Sequence, residues 1–219
     1  MDKRTLSVKS INEILSRLEG EKKLMYDQKL IEQLYLDYQN IEVNDASDVE
    51  DLTKQFAGRE VLLLGPGLNV QRQIDKIEAY MKEKNPIVVT INFISDEFAS
   101  DYVFLSNAKR YVQLATALSL HPDMKVIATS NVTKTDGSFD YTLQYSSLLD
   151  MGAEIIDNSF IMLLKVMKKI GVKSVALGGF DGYTGDKRQN YINGYVEYSF
   201  TKAQAKDLNA YVTDRKSVV

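Results

Sequence analysis

Val61-Leu62-Leu63-Leu64-Gly65-Pro66-Gly67 is a run of four aliphatic residues that ends in a tight, glycine-flanked turn. A strand with one wet face alternates apolar and polar residues. An unbroken apolar run this short fits a strand covered on both faces, as in a parallel sheet. Short runs of similar character follow at Ile87–Ile91, Tyr102–Leu105, Lys125–Thr129, Glu154–Ile156 and Ser174–Leu177. Helical apolar spacing separates or follows them, over 70–84, 108–119, 141–150, 159–170 and 202–213. This alternation predicts an α/β domain over residues 59–219: a Rossmann-like, doubly wound, mostly parallel sheet with helices on both faces.

Upstream of residue 59 the pattern is helical only. Ser10 to Glu13 and Ser47 to Glu50 each carry the Ser-x-x-Glu spacing of a capping box, in which each end satisfies a backbone N–H of the other. Ile11, Ile14, Leu15 and Leu18 follow the first box, and Gly20 stops the run. Leu30, Ile31, Leu34, Tyr35 and Tyr38 mark a second helix over 27–40. Val49, Leu52 and Phe56 mark a third, ended by Gly58. Residues 1–58 are therefore expected to form an N-terminal helical extension, a lead-in or linker. Both ends read as cut: Thr5-Leu6-Ser7-Val8 opens straight into a helix, and Val218-Val219 could begin another strand. A fragment of a longer protein, truncated at its C-terminus, is expected.

The chain has 219 residues, 44% hydrophobic and 26% charged, which fits one globular domain with an appendage. A net charge of −3 argues against a nucleic-acid partner. The absence of cysteine excludes a disulfide scaffold, a thiolate metal site and a cysteine nucleophile. His121 is the one histidine, in what reads as a surface loop at the edge opposite the strand C-termini. Asp136, Asp140, Asp181 and Asp186 match no calcium-loop spacing, so no metal is expected. No apolar run is long enough for a membrane span, and the charged start is no signal peptide, so a cytoplasmic location without membrane partners is expected.

Candidate site residues cluster at predicted strand ends, where open α/β sheets bind ligands. Gly65, Pro66 and Gly67 allow backbone N–H groups to approach a phosphate, or simply make a tight turn; the pattern is neither Gly-x-Gly-x-x-Gly nor a P-loop. Asn92 follows the second strand; Ser106 and Asn107 follow the third, with Lys109 and Arg110 beyond. An asparagine there can hold a ribose or a base edge, or cap a turn. Ser159 is a plausible helix N-cap whose helix start could instead meet a phosphate. Gly178-Gly179-Phe180-Asp181-Gly182-Tyr183 allows close backbone approach and presents Asp181 as a catalytic or ribose-binding carboxylate. Tyr183, Tyr191, Tyr195 and Tyr198 could form a lid or could pack an irregular segment.

This motif set resembles two families. Gly65-Pro66-Gly67, Asn92, Asn107, Ser159 and Asp181 resemble the nucleotide site of bacterial CMP-sialic acid-dependent sialyltransferases. That resemblance implies a cytidine-nucleotide ligand. The histidine base that family carries after its Gly-x-Asp turn has no counterpart in Tyr191-Ile192-Asn193-Gly194-Tyr195. From Leu6 onward, with Gly65-Pro66-Gly67, Ile91-Asn92-Phe93 and Phe104-Leu105-Ser106-Asn107-Ala108-Lys109-Arg110, the chain is also similar to the C-terminal region of 4-hydroxy-2-oxovalerate aldolase-like proteins of the HMG-CoA-lyase-like superfamily. That similarity implies a lyase parent whose barrel, as the upstream part of the same polypeptide, is a partner but is not in these residues.

The expectation is a nucleotide- or nucleotide-sugar-binding domain of CMP type, glycosyltransferase-like in motif, cut from an aldolase-like protein. Gly65, Pro66, Gly67, Asn92, Ser106, Asn107, Arg110, Ser159 and Gly179 would bind the ligand, with Lys187 and Arg188 as further cations. Asp181 and Tyr183 would be the catalytic candidates. The alternative is a non-catalytic regulatory or docking module that presents residues 10–57 to the barrel; a homo-oligomer is open under either reading.

Overall fold

The computed structural model describes residues 40–132, 137–153 and 155–182, with Gln33, Leu36, Asp37, Gln39, Thr184, Lys206, Asn209 and Ala210. The first expected helix lies outside these residues, as do most of the second and of 202–213. Gln33, Leu36, Asp37 and Gln39 are helical.

A six-stranded sheet of strictly parallel strands forms the centre, in the order β5-β4-β3-β2-β1-β6. The strands are β1 (Val61–Leu64), β2 (Ile87–Ile91), β3 (Tyr102–Leu105), β4 (Lys125–Thr129), β5 (Tyr141–Leu143) and β6 (Ala176–Gly178). The helices are α1 (Ala46–Phe56), α2 (Asn69–Arg72), α3 (Ile74–Lys84), α4 (Ala108–Ser119), α5 (Tyr145–Leu148) and α6 (Ser159–Lys169). β1 to β5 are laid down in one direction, and β6 returns to the other side of β1. The winding therefore reverses between β1 and β6. This is the doubly wound, Rossmann-like α/β architecture that the alternation of runs implies.

Strand parity distributes the core between two faces. Leu62, Leu64 and Val88 pack with Ile77 of α3, while Val103, Leu105 and Ala128 pack with Tyr111, Leu114 and Leu118 of α4. On the other face Val61, Leu63, Val89, Ile91 and Phe104 meet Leu52 and Phe56 of α1 and the apolar residues of α6. Seven of the eleven residues of α6 are buried, which is why its sequence is apolar on most sides. α1 thus belongs to the sheet's own core, although it precedes the change of pattern at residue 59.

Several expectations are corrected. Residues 141–150 are not one helix: Tyr141–Leu143 pairs with β4, and only Tyr145–Leu148 is helical. Tyr141, Leu143 and Tyr145 fit a two-residue period as well as a helical one, and the ladder to β4 decides between them. Of the expected strand over 154–156, Glu154 lies outside the described residues, and Ile155 and Ile156 form no strand of the sheet; the Ile156 carbonyl accepts from Asp150 N at 2.9 Å. The helix over 70–84 breaks at Gln73 (φ −122°), because Val70 is buried under the Gly179 loop while Ile77 must reach the sheet face. The last strand sits at 176–178 rather than 174–177. α1 starts at Ala46, so Ser47 does not cap it; the preceding Asp45 spends its carboxylate on Gln144 N and Lys169 Nζ.

Among the described residues no helix is long and apolar enough to cross a membrane.

Candidate functional site

The ends of β2 and β3 and the start of α6 converge on one polar ring. Asn92 Nδ2 donates to Ser159 Oγ at 2.8 Å, the hydroxyls of Ser106 and Ser159 are 2.6 Å apart, and Asn92 Oδ1 accepts from Ser106 N at 3.3 Å. Each member comes from a different element, so only the fold brings them together. Ser159 is available because Asn158, not Ser159, caps α6: Asn158 Oδ1 accepts from Phe160 N and Ile161 N. The expected N-cap is thus displaced by one residue, and the hydroxyl it would have used turns to the ring instead.

The ring has hydrogens to spare. Two hydroxyls bring two hydrogens, but only one can lie between their oxygens. Among the described residues, the other hydrogen and the second N–H of the Asn92 amide have no acceptor within the ring and are left to donate outside it. Asn92 also holds φ at +54°, in the left-handed region that a non-glycine side chain enters at a cost. Ser106 is buried, and Asn92 and Ser159 are half-buried.

A second polar layer lies behind the ring. Asn131 Nδ2 donates to the Ser106 carbonyl at 3.3 Å, and Asn131 Oδ1 accepts from Thr129 Oγ1 at 2.5 Å. Asn131 was not among the expected site residues. The repetition of Ser-Asn after β3 (Ser106-Asn107) and after β4 (Ser130-Asn131) was the available signal.

Other expected residues are placed differently. Asn107 caps α4, its Oδ1 accepting from Lys109 N at 2.9 Å, which is the turn-capping alternative. Arg110 is buried, with Nη1 donating to Gln113 Oε1 at 2.7 Å. Gly65 and Gly67, on either side of Pro66, face the loop after β6: Gly67 N donates to the Gly179 carbonyl at 2.9 Å, and a Cβ on Gly67 would collide with that oxygen. Gly179 adopts φ +72°, and a Cβ there would strike the Gly65 carbonyl. These glycines therefore serve a backbone-to-backbone approach of two loops. Asp181 joins them, its Oδ2 accepting from Asn69 N at 2.7 Å. His121 is exposed in the turn before β4. Tyr183, Lys187, Arg188, Tyr191, Tyr195, Tyr198, Asp136 and Asp186 lie outside the described residues.

At the opposite end of the sheet, two tyrosines at the starts of their strands, Tyr141 and Tyr102, are shifted in their titration. Burial, then the Asp51 carboxylate that accepts from its hydroxyl at 2.7 Å, pushes Tyr141 well above the ordinary tyrosine range. Burial and the neighbouring Asp101 and Asp51 charges raise Tyr102 as well. Lys125 Nζ lies 5.9–6.0 Å from the centres of both rings. This cluster ties α1 to the strand starts and stands apart from the polar ring. Comparison of the chain with family models, with curated proteins and with solved structures finds no match.

Proposed function

We propose that this domain binds a nucleotide or nucleotide-sugar of CMP type over the C-terminal ends of β1, β2 and β3. The observation that carries this reading is the Asn92–Ser106–Ser159 ring, two of whose hydrogens find no acceptor within it among the described residues and can meet one from outside. The carbonyl and ring nitrogen of a pyrimidine, or a ribose oxygen, are such acceptors. The position at the strand C-termini and the left-handed backbone of Asn92 support the same reading. The docking alternative is weakened, because α1 spends Leu52 and Phe56 on its own sheet. The link to an aldolase rests on motif resemblance, and under it this chain alone releases no pyruvate from 4-hydroxy-2-oxovalerate.

Thermal unfolding against CMP, CDP, UDP, GDP, CMP-sialic acid, UDP-sugars, pyruvate and CoA tests the proposal. A ligand at 100 times its Kd stabilises by about 2.7 kcal/mol, which is roughly 5–10 °C for a domain of this size. The expected result is a shift with a cytidine nucleotide that Asn92→Ala abolishes. Silence with every nucleotide overturns the reading.

A further inference from the structure

We propose that Asp181 is a positioning residue, a latch that holds the loop after β6 against the loop after β1 by accepting a hydrogen bond rather than by acting as a base. The proposal deepens the nucleotide-binding reading and rests on it for its functional consequence. Its geometry stands independently.

The latch lies where the winding of the sheet reverses, between β1 and β6. Open α/β sheets part their loops at such a point and leave a crevice. Here the loops are drawn together. Gly65 N donates to the Gly178 carbonyl at 2.8 Å, and Gly67 N donates to the Gly179 carbonyl at 2.9 Å. The fastening across the top is Asp181 Oδ2 on Asn69 N, at 2.7 Å between residues 112 apart in sequence. The fit is close, since a Cβ on Gly67 would stand 2.8 Å from the Asp181 carboxyl carbon.

The same loop reaches the polar ring. Phe180 stacks on Phe160 with ring centres 4.2 Å apart, and Phe160 is the neighbour of Ser159. Freeing Asp181 would therefore loosen three things together: the loop after β1, the loop after β6, and the aromatic contact that abuts Ser159. A general base must take up a proton on its carboxylate, with or without a standing hydrogen bond. A latch must keep that bond, and needs only an oxygen that accepts. An asparagine retains such an oxygen and cannot serve as the base, so Asp181→Asn separates the two roles.

The experiment is amide hydrogen exchange on the full chain, paired with calorimetric titration of CMP. In Asp181→Ala the Asn69 amide should exchange about tenfold faster or more, while the amides of β1 to β4 keep their protection and show that the fold is intact. Asp181→Asn should exchange like the parent. Gly67→Ala, which wedges the loops apart with Asp181 in place, should deprotect Asn69 as Asp181→Ala does. CMP affinity should fall about tenfold in Asp181→Ala and stay within about threefold of the parent in Asp181→Asn. Unchanged Asn69 exchange in Asp181→Ala overturns the latch, as does an Asp181→Asn variant that behaves like the alanine variant in exchange or affinity. If the parent chain binds no CMP, the nucleotide reading falls and the exchange results alone decide the latch.

Discussion

Asn92 combines two properties that a substitution can separate. Its backbone occupies the left-handed region, and its amide closes the ring with Ser106 and Ser159. Asn92→Ala loses the amide and keeps a Cβ in a conformation that costs about 1–2 kcal/mol. Asn92→Gly loses the amide but relieves the backbone. In urea unfolding the alanine variant should be the less stable of the two by about 1 kcal/mol, and both should lack the cytidine-nucleotide shift. Equal stability of the two would mean that the backbone stores no strain there. At this scale the sequence was informative about place and less so about role. Asn92, Ser106 and Ser159 stand at element ends, and element ends are legible from pattern. That Asn107 caps a helix while Ser159 does not depends on which neighbour reaches the N–H first, and Asn158 does so for α6. Such a competition is settled by backbone geometry, which residue type alone does not reveal.

The β5 edge shows how one element finishes another. Among the described residues no strand pairs the outer edge of β5; the N–H of Thr142 and that of Gln144, just past the strand's end, donate instead to the Asp48 and Asp45 carboxylates of the α1 start, at 2.7 and 3.0 Å. A sheet edge capped by carboxylates is a poor template for a further strand. Burial works against the charge on Asp45, but the Lys169 ammonium and the Gln144 N–H outweigh it and hold the carboxyl below its ordinary value of 3.8. A carboxylate with a lowered folded pKa stabilises above the unfolded pKa and loses that contribution as pH falls through the folded one. Asp45→Asn should therefore lower Tm at neutral pH, and the gap to the parent should close as the solution is acidified below pH 4. A gap independent of pH would show that the Asp45 charge is irrelevant. This edge also explains the misread helix over 141–150. The four longer strands, β1 to β4, are continuous apolar runs or nearly so, and they are legible. β5 has three residues, two carboxylates from a distant helix and one neighbour, none of which is local in the sequence.

For the molecule as a whole, the change of pattern at residue 59 marks where strands begin, whereas the core begins earlier, with Leu52 and Phe56 of α1 buried among β1, β2 and β3 side chains. Chains started at Ile41 and at Arg59 should behave differently. The longer one should unfold cooperatively near the parent Tm. The shorter one should lose the cooperative transition or a large part of its stability, because truncating buried residues of this kind costs about 2–5 kcal/mol each. Equal stability would place α1 outside the folding unit. The winding order carries a kinetic consequence. Five strands can be added one beside the next as the chain lengthens, but β1 receives its second neighbour only when Ala176–Gly178 arrives. Until then a growing or refolding chain holds its first and most apolar strand with one edge open, and the closing contact spans a long loop whose entropy must be met first. Completion of the β1–β6 pair should be the late event in folding, and chains halted before it are the ones most exposed to pairing with each other.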